Sequence, residues 1–356
     1  MTIGSMQSKI RVLVVDDSAF MRKAITDILN SDGEIQVIDT AKNGVEALDK
    51  AEKLNPDVIT MDLNMPVMDG LECLRRLQAI SRIPVIMLSS YTKEGAYATM
   101  QALDEGAMDF IAKPGNIFEM KREDLKEEII RKVKICKNLK LPVIGEKCKA
   151  PMEKRNNTCG DKIKSIVAIG TSTGGPKALQ EVIPLISPDI ESAFLVVQHM
   201  PPGFTKSLAE RLDSMSGVNV KEAEDNEVVK NGHVYIAPGD FHMTIKKSSN
   251  SIYRIKLTKD PPVEGHRPSV DVMMESVSES GIGNIVAVIM TGMGKDGTKG
   301  IEKLKTKNNA HIIAQDESSC VVFGMPRVAI STGLVDVVVP LNQIAKEIMK
   351  TVGVHR

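Results

Sequence analysis

Residues Ile166-Val-Ala-Ile-Gly-Thr-Ser-Thr-Gly-Gly-Pro176 join a short apolar run to a glycine-flanked serine and then to a proline. The apolar run predicts a buried strand, and the proline-led pattern after it predicts the start of a helix. Ser172 then stands at a sharp strand-to-helix turn, beside the free N–H groups of a helix N-terminus. A nucleophile and donors for a developing anion thereby come from one element.

Working outward, apolar strand-like runs recur at 165–169, 193–198 and 285–290, with helical patterns at 177–186, 204–215 and 297–305. Between Val218 and Leu257 the turn signals Asn231-Gly232, Pro238-Gly239 and 248–251 separate short alternating runs. This region predicts a small antiparallel hairpin region added to a parallel sheet. The expected fold of 163–356 is α/β, doubly wound and mostly parallel.

The preceding residues carry a second alternating pattern. Strands are expected at Ile10–Val15, 36–40, 58–61, 84–88 and 109–112, with helices at 18–30, Gly44–Leu54, Gly70–Ile80, 95–103 and 122–139. That order predicts a doubly wound unit of five parallel strands over 1–139. Pro142, Gly145, Pro151, Asn156, Asn157 and Gly160 mark 140–162 as a linker.

Composition narrows the function. The 356 residues carry 46 Lys+Arg and 46 Asp+Glu, so no bulk charge draws the chain to nucleic acid or to anionic membranes. No apolar run has the length of a membrane span, and the N-terminus has no apolar signal core, which predicts a cytoplasmic protein. The five cysteines, Cys73, Cys136, Cys148, Cys159 and Cys320, form no C-x-x-C pair and predict neither disulfides nor zinc. Cys320 reads as a small buried or half-exposed thiol.

Two clusters of chemistry emerge at strand ends. Asp16-Asp17 follows the first strand, Asp62 the third and Lys113 the fifth. In a doubly wound sheet these ends share one edge. Clustered carboxylates repel, and a hard cation such as Mg²⁺ offsets that cost while keeping waters for a phosphate. Taken singly, each residue is a solvated loop acid or a surface lysine. Joint placement at strand ends favours the site.

In the second half, His199 follows the strand at 193–198 and is the candidate base for Ser172. His233 and His242 flank hairpin runs and are expected to be surface or half-buried residues. His266 lies in a loop that could line a cleft, and His355 sits near the C-terminus. Asp296 follows the strand at 285–290 and is the candidate acid orienting His199, the plainer alternative being a helix N-cap. Gly170-Thr-Ser-Thr-Gly174 fits the short G-x-S-x-G pattern, which by itself also fits a phosphate-cradling loop. No Lys-Ser/Thr pair follows, and no acid suited to a ribose stands near residue 195. The order Ser172, His199, Asp296 differs from that of α/β-hydrolases, whose acid precedes the histidine.

The first ~120 residues resemble a response-regulator receiver domain. The resemblance rests on Asp16-Asp17-Ser18, Met61-Asp-Leu-Asn-Met-Pro-Val-Met-Asp-Gly70, Leu88-Ser-Ser90 and Lys113-Pro114. It implies phosphorylation of Asp62 by a histidine kinase. It further implies Mg²⁺ on Asp16, Asp17, Asp62 and the Asn64 carbonyl, and a hydrogen bond from Ser89 to the phosphate. Phe110 takes the aromatic switch position, where tyrosine is common.

Residues 163–350 resemble the chemotaxis protein-glutamate methylesterase family. The motifs are Ile169-Gly-Thr-Ser-Thr-Gly-Gly-Pro176, Val197-Gln-His-Met-Pro-Pro-Gly-Phe204, Tyr235-Ile-Ala-Pro-Gly239, Arg267-Pro-Ser-Val-Asp271, Met290-Thr-Gly-Met-Gly294 with Asp296-Gly297, and Gly324-Met-Pro326. This resemblance implies a serine esterase acting on chemoreceptor glutamyl γ-methyl esters, with deamidation of receptor glutamines. Ser172, His199 and Asp296 would be catalytic, and N–H groups near Thr173 and Met293 would hold the oxyanion. No cofactor is expected for catalysis. Partners would be a chemotaxis histidine kinase and methyl-accepting chemoreceptors, without nucleic acid or membrane insertion, and the chain is expected to be a monomer. The unphosphorylated receiver is expected to obstruct the cleft. Thr171 replaces a smaller residue and Lys295 stands where asparagine is frequent, two departures expected to bear on substrate fit. Two other classes stay open: a phospho-switched binding or scaffold protein, and a transcriptional regulator. Against the latter stand the zero net charge and the lack of a basic helix-turn-helix pattern.

Overall fold

The computed structural model describes residues 8–113, 123–137, 163–248 and 252–353. The chain divides into two compact units, Met1–Glu146 and Lys147–Arg356. The expected linker at 140–162 lies outside the described residues, as do Pro114, Cys148, Cys159 and His355.

The first unit is built on β1 (Ile10–Val15), β2 (Ile35–Ala41), β3 (Val58–Asp62), β4 (Val85–Ser90) and β5 (Asp109–Lys113). They form one parallel sheet in the order β2-β1-β3-β4-β5. Helices α1 (Ala19–Asn30), α2 (Gly44–Leu54), α3 (Gly70–Ile80), α4 (Lys93–Asp104) and α5 (Glu123–Lys137) cover it. Ser18, Asn43, Asp69 and Thr92 cap the first four helices, each side chain accepting the N–H three residues on. Such caps contribute about 1 kcal/mol apiece and fix where each strand-to-helix loop ends. On one face of the sheet, Val12, Val14 and Ile86 pack against Ile25 and Leu29 of α1 and Ile129 and Val133 of α5.

The second unit is built on β6 (Ser165–Thr171), β7 (Ser192–Gln198), β8 (Asn219–Glu222), β9 (His233–Ile236), β10 (His242–Lys247), β11 (Tyr253–Thr258), β12 (Asn284–Ile289), β13 (His311–Gln315) and β14 (Val337–Val339). Seven of them form a sheet in the order β14-β13-β12-β6-β7-β9-β8, parallel at every pairing. Helices α6 (Gly175–Val182), α7 (Phe204–Met215), α8 (Val270–Ser278), α9 (Thr298–Asn308), α10 (Met325–Ser331) and α11 (Leu341–Val352) complete it. The central strands β6 and β7 are buried at every position, as a parallel sheet covered on both faces requires.

The hairpin region is narrower than its turn signals predict. Among the named strands of the described residues β10 and β11 pair antiparallel, as a separate two-stranded sheet, and Val228 bridges antiparallel to Arg254 on its β11 edge. The runs flanking Asn231-Gly232 are β8 and β9, which lie parallel in the main sheet. The chain between them is occupied elsewhere: Val229 N–H donates to Tyr253 O at 2.9 Å, and Ile255 N–H donates to Glu227 O at 2.9 Å. His242, expected at the surface or half-buried, is buried, with Nε2 3.2 Å from the Pro261 carbonyl.

Gly70 is required where the chain turns back onto the end of β3. A Cβ there would lie 2.1 Å from the Asp62 carbonyl oxygen, and its N–H donates to Leu63 O at 2.9 Å. We expect Gly70→Ala to destabilise the first unit by about 2–3 kcal/mol, since backbone rather than a flexible side chain must yield. Urea unfolding of the full chain should show a lowered midpoint for one transition; an unchanged midpoint would contradict the packing.

Candidate active site

Neighbouring strands β6 and β12 lead into connections that run to opposite sides of the sheet, so their C-terminal ends bound a crevice at its topological switch point. Ser172 follows β6, the 291–296 loop follows β12, and His199 follows β7. Backbone hydrogen bonds lock these ends together. Ser172 N–H donates to Thr291 O at 3.0 Å, Met290 N–H to Gly170 O at 3.0 Å, and His199 N–H to Thr171 O at 3.3 Å.

The serine turn is held from beneath. Gly174 takes φ +76° at the cap of α6, a conformation that favours glycine, and Gly175 N–H donates to Ser172 O at 2.8 Å. Gln198 Nε2 donates to the carbonyls of Ser172 at 2.9 Å and His199 at 3.2 Å. Its Oε1 accepts from Thr171 Oγ1 at 2.6 Å. Thr171 is fully buried, so the first departure props the serine turn rather than meeting substrate. Gly292 makes the other close approach: a Cβ there would lie 2.8 Å from Ser172 Cβ and 2.4 Å from Met325 Sδ.

Asp296 carries the densest set of contacts. Its Oδ2 lies 2.8 Å from His199 Nε2 and accepts Val270 N–H at 2.7 Å; Oδ1 accepts Ser269 Oγ at 2.9 Å and Asp271 N–H at 2.9 Å. These backbone donors are the first turn of α8, whose partial positive charge suits an anion. Burial by itself would raise the Asp296 pKa, but the His199 contact and these N–H groups outweigh it and hold the group down at about 2. Helix α9, which follows it, begins on Gly297 without a side-chain cap, so the N-cap alternative for Asp296 does not hold.

A carboxylate only accepts, so Nε2 of His199 carries the proton and Nδ1 presents the lone pair. Nδ1 is buried and has no hydrogen-bond partner among the described residues. No hydrogen bond joins Ser172 Oγ to His199 among those residues, so His199 is tied to Asp296 and not to Ser172. The His266 ring stacks on His199. Neither Thr173 N–H nor Met293 N–H donates a hydrogen bond among the described residues, which leaves both available to an oxyanion. Cys320 is half-buried, and burial pushes its thiol up to about 12, far from nucleophilic character at neutral pH.

The first unit gathers its own cluster. One ligand oxygen from each of Asp16, Asp17 and Asp62 lies within 4.8 Å of the others. Lys113 Nζ lies 2.6 Å from Asp16 Oδ2 and 2.9 Å from Asp62 Oδ1. Burial raises the Asp62 pKa against the lowering pull of Lys113. Buried Ser89 donates to the Gly95 carbonyl at 3.0 Å, and the buried Phe110 ring lies 5.2 Å from Lys132 Nζ. An all-oxygen donor set beside a lysine fits a small hard cation.

Sequence reading did not assign roles to Gln198, to Ser269 and Val270, or to Asp271. A Ser-x-Asp pattern before Val272-Met-Met274 marks a helix start, yet not the loop that start holds. Asp271 mirrors Asp296: its Oδ1 accepts the Gly300 N–H of α9 at 2.8 Å. Burial, with Asp296 nearby and Gly300 opposing, raises its pKa to about 6. A carboxyl with a folded pKa above its unfolded value costs stability once pH passes the folded pKa. Stability should therefore rise as pH falls from about 6 to 4. It should fall again as Asp296, with its lowered pKa, is protonated below about 4 towards 2. Asp271→Asn, whose carbonyl oxygen can still accept from Gly300, should add about 1–2 kcal/mol at pH 7 and remove the rise below pH 6. Thermal midpoints across pH 4–8 check this, and an Asn variant that keeps that rise would refute it.

Comparison with known proteins extends this geometry. The CheB methylesterase family model matches residues 167–348, and the response regulator receiver domain model matches residues 12–124. A Halalkalibacterium halodurans protein named protein-glutamate methylesterase/protein-glutamine glutaminase is 49% identical over 345 residues, covering 97% of this chain and 99% of that one. A protein of the same name from Archaeoglobus fulgidus is 49% identical, with 96% and 97% covered. The crystal structure of the Thermotoga maritima CheB methylesterase catalytic domain matches with TM-score 0.50 and 48% identity, covering 52% of this chain and 97% of that one. The serine, histidine and aspartate at these strand ends therefore lie in a chain that belongs to the CheB methylesterase family, an enzyme carrying a response regulator receiver domain.

Proposed function

We propose that this chain is a phosphorylation-activated serine esterase. It would remove methyl groups from glutamyl γ-methyl esters of chemoreceptors and deamidate receptor glutamines. The observation that carries the reading is the 2.8 Å contact between buried Asp296 and His199, at the sheet edge that also bears Ser172.

In this reading Ser172 Oγ attacks the ester carbonyl while His199 Nδ1 takes its proton. Asp296 stabilises the imidazolium so formed. The N–H groups of Thr173 and Met293 hold the oxyanion, each worth about 3–4 kcal/mol where such donors have been removed from hydrolases. His199 returns the proton to the leaving methanol, or to ammonia when the substrate is a glutamine. Water, deprotonated by the same nitrogen, then releases the glutamate and restores Ser172.

The receiver supplies control. Asp62 accepts a phosphoryl group from a chemotaxis histidine kinase. Asp16, Asp17, Asp62 and the Asn64 carbonyl would hold Mg²⁺, which when bound offsets negative charge between carboxylates and phosphate. Lys113, which contacts Asp16 and Asp62, would pair with phosphate oxygens. Ser89 would exchange the Gly95 carbonyl for the phosphate, with Phe110 packing beside it. The catalytic step uses no cofactor, and the protein acts as a cytoplasmic monomer without nucleic acid or membrane insertion. Among the described residues no helix is long and apolar enough to cross a membrane.

Methanol release from methylated receptor tests both halves. Ser172→Ala should lower turnover by about 10³-fold or more, and an active-serine probe should label the wild type alone. A small phosphodonor with Mg²⁺ should raise activity of the whole chain, and Asp62→Asn should abolish that response. Full esterase activity in Ser172→Ala, or an undiminished phosphodonor response in Asp62→Asn, would sink the corresponding half.

A further inference from the structure

The His199 and His266 rings lie face to face, with centroids 3.9 Å apart and planes 7° from parallel. Asp296 grips His199 at Nε2 only, and Nδ1 has no hydrogen-bond partner among the described residues. A ring held at one edge can still tilt about that contact, and aromatic χ2 wells are broad. A parallel ring at van der Waals distance removes the tilt and leaves both nitrogens usable.

His266 is delivered by a tight turn. Val263 N–H donates to His266 O at 3.0 Å, and His266 N–H donates to Val263 O at 2.9 Å. Between them Glu264 takes φ +49° and Gly265 φ +83°, the pattern of a type I′ turn. Glycine suits the second position, but a glutamate at the first meets the steric cost of the left-handed region, roughly 1 kcal/mol. Its tip gives the compensation: Oε1 lies 3.3 Å from Lys295 Nζ and 3.2 Å from Lys299 Nζ. Lys295 directly precedes Asp296, and Lys299 lies in the first turn of α9. The turn is thereby fastened to the loop that carries the acid.

The root of the same segment is tied separately. Arg267 Nη1 donates to the carbonyls of Lys259 at 3.1 Å and Asp260 at 3.0 Å, and its Nε to Asp240 Oδ1 at 3.1 Å. With the root fixed, the Glu264 contacts govern only the tip that bears His266. Both lysine side chains are about 60% exposed, so these pairs are individually weak and open to screening by salt.

We propose that His266 is a positioning residue for His199, held against the imidazole by a clasp of Glu264 with Lys295 and Lys299. Turnover then depends on an ion-pair clasp at the rim of the site. The inference rests on His199 serving as the base for Ser172. Because Lys295 stands where the family resemblance leads one to expect asparagine, the clasp is a feature of this chain's own sequence.

The test uses full-length protein with a phosphodonor and Mg²⁺, measuring methanol release from methylated receptor at saturation. Ser172→Ala decides the underlying reading: activity surviving there removes that reading irrespective of His266. With that control inactive, His266→Ala should lower kcat about 10- to 100-fold while KM stays within about twofold. His266→Phe, which keeps a flat ring without nitrogen, should recover to within about fivefold of wild type. Glu264→Gln should lower kcat about threefold and abolish the fall of wild-type kcat between roughly 50 and 500 mM salt. Wild-type kcat in His266→Ala, or a Phe variant no better than Ala, would discard the stack. A wild-type salt response in Glu264→Gln would discard the clasp.

Discussion

The second unit depends on keeping one buried carboxylate ionised. Asp296 is 4% exposed, and an unpaired charge so placed would cost several kcal/mol. Three protein donors from residues 269–271 and the His199 ring satisfy it. Those donors exist only because α8 begins where the loop after β12 passes. Helix α9 answers in kind by giving its Gly300 N–H to Asp271. Each helix start thus donates to a buried acid of the other segment, fully enough for Asp296 to stay low in pKa but not for Asp271, and the two are cross-braced. Moving either helix would strand a buried charge, so the position of His199 is set by electrostatics as much as by packing.

The same sheet geometry meets a different electrostatic problem in the first unit. There three carboxylates converge at the switch point between β1 and β3, and Lys113 offers the only ammonium paired with them among the described residues. Asp62 is left with a raised pKa because burial outweighs that lysine. Asp296 is held low because its donors outweigh burial. One acid is placed so that added positive charge favours it, whereas the other is already satisfied by the protein.

Much of this was readable from residue order. Strand ends at 15, 62 and 171 follow from apolar runs that stop at Asp or Gly, and polar groups placed just after them share an edge in any parallel sheet. What could not be read depends on elements distant in sequence. Thr171 reaches Gln198 only because β6 and β7 are neighbours, and Ser269 reaches Asp296 only because α8 and α9 pack together. The Asn231-Gly232 signal marks a turn but not a hairpin, because the chain on either side pairs elsewhere: β9 with β7 and β8, and the segment before it with β11. Strand β14, with Val338 half in solvent, is too short and too exposed to stand out as a buried run.

The candidate oxyanion donors show how such distant contacts become chemistry. Gly292 O accepts from both Gly324 N–H at 3.1 Å and Met325 N–H at 2.8 Å, while Gly292 N–H donates to Val322 O at 3.1 Å. A trans peptide sets C=O and N–H in opposite directions. Fixing the Gly292 carbonyl on the 322–325 segment therefore fixes the Met293 N–H away from that segment. Thr291 Oγ1 reinforces the frame, donating to Thr173 O at 2.9 Å and accepting Val322 N–H at 2.9 Å. The Thr173 carbonyl is thus held by the loop that also carries Met293. The Thr173 N–H shares its peptide with the Ser172 carbonyl, which accepts from Gly175 N–H and Gln198 Nε2, so both candidate donors belong to peptides fixed by hydrogen bonds at the ends of β6 and β12. Donors that need no reorganisation as charge develops are the kind that lower a barrier most. The Gly324-Met-Pro326 segment, far from Ser172 in sequence, thus orients the peptide that carries the Met293 N–H by holding its carbonyl.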